Sequence, residues 1–342
     1  MTEFRDYRGA LHIHSRYSDG SGAVEEIVAA GQAAGLDLLL IADHNTLAAR
    51  TEGWVGWHGS TLVLVADEIT PPGRGHVLAL GVSDIEGLEY LSEPAYLERV
   101  AKQGGLAILA HPEGKVDVGF GAASQPWFHW RSPHYGVIEV WSYMHDWIQG
   151  LRWWQVPAAC LRPHRRITGP DRRLLALWDA LLKERDISGV AALDAHAAQV
   201  LAGAFHIFPY RDLFRTTLTH LLAPPLSGEP GQDEAAVIEA LRQGRAYVTF
   251  ELLSPVEEFT FVAERGGERW LPISRLPAGP TTTLLVQAPR PAEIRLVHDS
   301  KVRATADDRG ASWQVSEPGV YRVELYLAGR LWILSNPICL TA

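Results

Sequence analysis

Residues 36–45 read Leu-Asp-Leu-Leu-Leu-Ile-Ala-Asp-His-Asn. The run Leu38–Ala42 is apolar without interruption, as in a strand buried on both faces of a parallel sheet, and it stops abruptly at Asp43-His44. The same shape recurs along the first 200 residues. Leu62–Asp67 (LVLVAD) runs into Glu68, Val77–Gly81 follows His76, and Leu106–Ala110 (LAILA) ends at His111. Val137–Trp141 (VIEVW) and Ile187–Leu193 repeat it, the latter ending at Asp194-Ala195-His196. Ahead of them, Ala10–His14 makes a short strand that leads into SRYSDGSG. Helical periodicity separates several of these runs. It covers Ala23–Ala34, Pro94–Gln103 and Asp171–Lys183, the last with Leu174, Leu175, Trp178, Leu181 and Leu182 on one stripe. Strands alternating with helices predict a parallel α/β architecture. Because polar residues recur at the ends of so many strands, a barrel fits better than an open sheet: a barrel brings those ends to one mouth.

The character changes near Ala223. After APPLSGEPG come a helix at about Asp233–Arg242 and then short strands: Ala246–Phe250, Phe259–Ala263, Thr282–Gln287, Ile294–His298, Gly319–Leu327 and Arg330–Leu334. Turn signals such as GGE, RPAGP, DDRG and AGR separate them. That spacing predicts a small β-sandwich. The expected division is therefore a barrel over 1–250 and an immunoglobulin-like sandwich over 251–342, with a Trp-rich insertion at about 115–170.

Composition narrows the function classes. With 342 residues, 31 Lys+Arg against 40 Asp+Glu and a net charge of −9, the chain has no basic stripe for extended nucleic-acid backbones. Two cysteines, Cys160 and Cys339, exclude a disulfide framework and a cysteine-rich zinc module. The opening MTEFRDYRGALHIHS lacks a signal-peptide core and no apolar run reaches a membrane span, so a cytoplasmic protein is expected. Six of the 12 tryptophans (Trp127, Trp130, Trp141, Trp147, Trp153 and Trp154) crowd into one region. It reads equally well as packing over the barrel or as an aromatic wall for a substrate.

The histidines carry the chemistry. His12 and His14 alternate on one strand, so both imidazoles reach one point. Asp19, His44, Glu68, His76, His111, Asp194 and His196 then stand at or beside successive strand ends. Imidazole and carboxylate suit zinc, manganese and iron, and a carboxylate can bridge two ions. The ordered pattern HxH…SDG, ADHN, ADE, GHxLxLG, AHP and DAH resembles the PHP (polymerase and histidinol phosphatase) superfamily of metal-dependent phosphoesterases over Ala10–His196. The C-terminal GRAYVTF, SPVEEFTF, EPGVYRVELYL and LWILSNPICL resemble its carbaryl-hydrolase-like branch, in which a sandwich follows the barrel.

The resemblance implies a distorted, TIM-like (β/α)7 barrel with two or three divalent ions, manganese, zinc or iron. It implies His12, His14, Glu68 and Asp194 around the first ion, and Asp19, His44 and His196 around a second. Glu68 would bridge to a third, completed by His76 and His111. The expected activity is hydrolysis of a small phosphate monoester, a nucleotide or other metabolite, by a metal-bridging hydroxide. The same centre could cleave a carbamate, ester or amide. A catalytically inactive binding module is the reading of another class, and the intact ligand set counts against it.

Around the ligands, Asp43 is a candidate to orient an imidazole or shuttle a proton, and equally a strand-end carboxylate bonded to backbone. Arg16 could meet a phosphate oxygen, although a solvated loop arginine is the commoner case. Lys115 and Arg165–Arg166 are weaker phosphate candidates. His164 and His206 fit no motif, His145 receives no role, and Cys160 reads as an ordinary thiol.

Overall fold

The computed structural model describes residues 4–114, 126–200 and 205–342. Lys115 and the side chain of His206 lie outside the described residues, as does part of the Trp-rich stretch.

The molecule is a mixed α/β structure built on one large sheet. Arg5–Ile13 pairs in parallel with Leu38–His44, which pairs in parallel with Thr61–Ile69. His76–Leu80 then runs antiparallel to both Thr61–Ile69 and Leu106–Ala110. From there Leu106–Ala110, Val137–Ser142 and Ser188–Ala192 are again parallel neighbours. Beyond Ser188–Ala192, the Leu193 and Ala195 N–H groups donate to the Leu11 and His12 carbonyls, and the His14 N–H donates to the Ala195 carbonyl.

The parallel sheet expected from the sequence is thus corrected at His76–Leu80, and Gly56–His58 and Thr217–Ala223 also run antiparallel to their neighbours. Only the segment from Thr70 to Gly75, with Pro71, Pro72 and Gly73, joins Thr61–Ile69 to His76–Leu80. A parallel crossover needs a dozen residues or more, so a hairpin is the only return open to that segment.

The helices follow ordinary rules. Val24–Ala33 opens with Glu25 and Glu26 where the positive end of the macrodipole favours them, and it buries Val24, Ile27 and Val28. Asp171 caps Arg172–Leu182 by accepting from the backbone N–H of Arg173 at 2.6 Å. That helix buries the expected apolar stripe together with one charged residue, Asp179.

The strands from Thr260 onward share their own apolar core, which includes Phe261, Leu284, Ile294, Val323, Trp332 and Ile333. Two expected strands are one: Thr282–His298 runs through, with its register against Lys301–Val315 shifting between Gln287 and Ala292. Pro289 and Pro291 sit in that gap, where a residue without an N–H can leave the ladder. Lys301–Val315 is a strand the sequence hid, because its exposed polar residues, DDRG among them, read as a turn.

The two parts are joined by backbone and by buried charge. Ala246–Phe250 pairs with Thr217–Ala223 on one side and with Arg330–Ser335 on the other. Buried Asn336 accepts from the Gly189 N–H and donates to the Gly189 and Ala246 carbonyls. Arg322, 2% exposed, donates to Asp179 at 3.1 Å and also pairs with Glu324, which takes Arg172 at 2.8 Å.

Candidate metal centre

The structure brings the candidate ligands together, and three of them stand on bent backbone. His12, His111 and Asp194 have φ of 63°, 29° and 55°, the left-handed region that costs a non-glycine residue about 1–3 kcal/mol. Strain at three of the candidate ligands is unlike chance scatter, since it re-aims each side chain at the point where a strand stops. Gly20 in the SDG turn is also dictated by geometry: a Cβ there would stand 2.2 Å from the His14 carbonyl oxygen.

Glu68, fully buried, is the hub. Its Oε2 lies 3.4 Å from His12 Nε2, 3.4 Å from His14 Nε2 and 2.8 Å from His44 Nδ1. Its Oε1 lies 2.9 Å from His76 Nδ1 and 3.2 Å from His111 Nε2. Asp194 Oδ1 stands 3.6 Å from His12 Nε2 and 3.3 Å from His14 Nε2. Asp19 brings Oδ1 within 3.3 Å of His196 Nε2 and Oδ2 within 3.6 Å of His44 Nε2.

Charge is tightly coupled here. Burial pushes Glu68 and Asp194 upward, but the surrounding imidazoles outweigh it and hold both well below the usual carboxylate range. Burial pulls His44 and His196 down, and Asp19 with Glu68 or Asp194 reverses this, to about 10 and about 9. His14, crowded by burial and by His196, is lowered. Without an ion the acidic groups hold protons on the imidazoles, and a metal competes with those protons.

Whether an ion fits can be tested on the first set. Four donors at about 2.1 Å from one tetrahedral centre lie about 3.4 Å from each other. The separations of the His12 and His14 Nε2 atoms from Glu68 Oε2 and from Asp194 Oδ1, four of the six in the set, are 3.3–3.6 Å. His12 Nε2, His14 Nε2 and Glu68 Oε2 are buried with no hydrogen-bond partner among the described residues. Leaving such atoms unmatched is costly, and their spacing suits donors gathered around a cation. The residues fit a divalent metal.

Solved structures similar to this chain match it at low sequence identity. One is a two-domain protein from Bacteroides vulgatus described as containing a predicted PHP-like metal-dependent phosphoesterase. It is 16% identical over 98% of this chain and 95% of that one, with a TM-score of 0.42. Another is an amidohydrolase from Chromobacterium violaceum with bound sulfate, 14% identical over 55% of this chain and 87% of that one, with a TM-score of 0.33. No protein-family model matches the chain, and no curated protein matches it.

The other sets regroup. His14, Asp19, His44 and His196 form one cluster of close donors, so His14 stands beside the three residues expected for a second ion. For the third, His111 and Glu68 cluster with His12, while His111 also clusters with His145 and Asp194. His145, given no role above, is buried, stacks on His111 at 4.1 Å and puts Nε2 3.5 Å from Asp194 Oδ2. It follows the strand Val137–Ser142 by three residues, so its place just past a strand end was the available signal. His76 instead joins none of these clusters: its Nδ1 meets Glu68 at 2.9 Å, and its ring stands edge-on to His111 at 5.1 Å.

Glu139 was also missed. Mid-strand in VIEVW and 1% exposed, it sets Oε1 2.7 Å from His12 Nδ1 and accepts the His111 backbone N–H on Oε2 at 2.7 Å. A carboxylate behind a ligand imidazole fixes its tautomer and raises its basicity. Glu139→Gln is expected to weaken metal affinity about 10–100-fold with little change in fold, measured by competition with a chromogenic chelator.

Two candidates are corrected. Both oxygens of Asp43 are taken by the Ser15 N–H, the Ser15 hydroxyl and the Ser18 hydroxyl, at 2.6–2.7 Å. It clamps the loop that carries Asp19 and is not positioned as an imidazole partner or proton shuttle. Arg16 spends its guanidinium on the Ser21 carbonyl and on Glu26, on the exposed side of that loop. Arg166 is likewise bonded to the Trp147 and Gln149 carbonyls, and His164 Nδ1 sits 2.8 Å from the Tyr143 hydroxyl. Cys160 is a free, partly buried thiol, raised by burial. The tryptophans divide: Trp127, Trp141 and Trp147 are buried, whereas Trp153 and Trp154 are exposed.

Proposed function

We propose that this chain is a metal-dependent hydrolase that cleaves small phosphate monoesters. The observation that carries this reading is the 3.3–3.6 Å spacing between two imidazoles and two carboxylates, with three of the four donor atoms buried and without a hydrogen-bond partner among the described residues. Divalent manganese, zinc or iron bound there would polarise the scissile group and bring the pKa of water toward neutrality.

His12, His14, Glu68 and Asp194 would hold the first ion. Asp19, His44 and His196 would hold a second, and His111 would serve a third, with Glu68 and His12 or with His145 and Asp194. Glu139 fixes the His12 ring, and Asp43 fixes the loop that presents Asp19. The donor set holds three carboxylates among neutral imidazoles, so three divalent ions would leave a local charge of about +3. That sign favours an anionic phosphate over a neutral carbamate or ester, despite the net charge of −9.

On this reading residues 1–250 form a distorted seven-stranded barrel and 251–342 a separate sandwich. Among the described residues no helix is long and apolar enough to cross a membrane. The test is turnover by protein loaded with manganese or zinc on p-nitrophenyl phosphate and on an aryl carbamate. Phosphate cleavage that a chelator abolishes is expected. Cleavage of the carbamate alone overturns the phosphate assignment.

A further inference from the structure

An apolar cavity of about 330 Å³ opens beside the candidate centre. Its walls are Met144, Trp147, Ile148, Val156 and Phe208, and its one titratable wall residue is His196, a candidate ligand. A cavity of about 150 Å³ with apolar walls holds a benzene ring, so this one takes a group about twice that size. Water inside it meets almost no polar partner, whereas an apolar group gains contacts on every side.

A second cavity, of about 890 Å³, shares Ile207 and Phe208 with the first. Its rim is cationic. Arg162, Arg165 and Arg211 line it against one acid, Asp212, which stands 3.5 Å from Arg211. Among the described residues Arg162 and Arg165 make no side-chain ion pair, so their charge faces the cavity and solvent unneutralised.

Resting on the metal-hydrolase reading above, we propose that the substrate is a two-ended anion. Its reacting group sits on the metals, an apolar segment fills the chamber beside His196, and a second acidic group reaches the arginine rim. A compact polar metabolite would leave the chamber walls wet and the arginines unused. A long apolar ester without a second charge would use only the first cavity. Charge at both ends with an apolar middle matches the order in which the surfaces follow one another.

The test uses ligands that cannot be turned over. Metal-loaded protein is titrated calorimetrically with ω-phosphonocarboxylates of increasing methylene number, alongside alkylphosphonates of equal length. Affinity is expected to rise at least about tenfold from the shortest chain to the best one, because each methylene moves from water into an apolar wall. At that length the terminal carboxylate should add about a further fivefold, as partly exposed ion pairs do. Val156→Phe, which fills the chamber, should flatten the length dependence. Arg162→Gln with Arg165→Gln should erase the carboxylate gain and spare the length dependence. Affinity independent of length in the wild type, or identical for carboxylate and methyl termini, overturns the proposal without any variant. A parallel hydroxamate series separates the two readings. Length-dependent hydroxamate binding with no phosphonate binding overturns the phosphate assignment and keeps the two-ended pocket. Flat binding in both series overturns the pocket and leaves the metal centre intact.

Discussion

Glu68→Gln lowers metal-dependent hydrolysis at least about a thousandfold and leaves less than one tightly bound ion per chain. The expectation follows from the place of this carboxylate: one oxygen faces His12, His14 and His44, and the other faces His76 and His111. Removing its charge withdraws a donor from two candidate ion sets at once. Lewis-acid stabilisation is worth several kcal/mol, and each 1.36 kcal/mol is tenfold in rate, which gives the magnitude. The amide keeps the shape of the side chain, so unfolding is not the expected cause; circular dichroism checks this alongside elemental analysis and rate. Full activity in the glutamine variant would mean that Glu68 is a structural acid and the ligand assignment is wrong.

The second large effect is on stability. Asp179→Ala is expected to destabilise the protein by about 3–5 kcal/mol, the usual result of breaking a buried ion pair from one side. Asp179 is 2% exposed and meets Arg322, itself 2% exposed, across the contact between helix Arg172–Leu182 and strand Gly319–Leu327. Without it the guanidinium keeps only Glu324, which already takes Arg172. The Ser300 hydroxyl loses its acceptor as well. Denaturant titration followed by tryptophan fluorescence reads the loss directly. A double variant, Asp179→Leu with Arg322→Met, should recover most of it, because an apolar pair leaves no uncompensated charge. A change below about 1 kcal/mol in Asp179→Ala would show that water or a rearranged Glu324 replaces the aspartate.

How much of this was legible beforehand depends on which kind of signal each residue carried. Uninterrupted apolar runs such as LDLLLIAD have one physical explanation, burial on both faces, and the strands lie within two or three residues of where the runs stand. Antiparallel His76–Leu80 was misread because its composition equals that of its parallel neighbours; only the short connection carries its direction. Lys301–Val315 was hidden for the opposite reason, since an exposed strand lacks the apolar alternation that marks a buried one. In the site, residues standing in spaced motifs were visible. Glu139 and His145 were not, because their importance comes from which neighbour they meet across the sheet. His12 reaches Glu139 over 127 positions of sequence, a pairing no local pattern encodes. Asp43 and Arg16 show the converse: nearness to a ligand in sequence placed them in the loop that supports the site, with their polar atoms already committed.

A divalent ion surrounded by His12, His14, Glu68 and Asp194 is what the proposed activity requires. Anomalous X-ray scattering from crystals grown with manganese measures this most directly. A peak is expected about equidistant from His12 Nε2, His14 Nε2, Glu68 Oε2 and Asp194 Oδ1, at one ion or more per chain. Density for an ordered water at that point, with no anomalous signal under saturating metal, would contradict it.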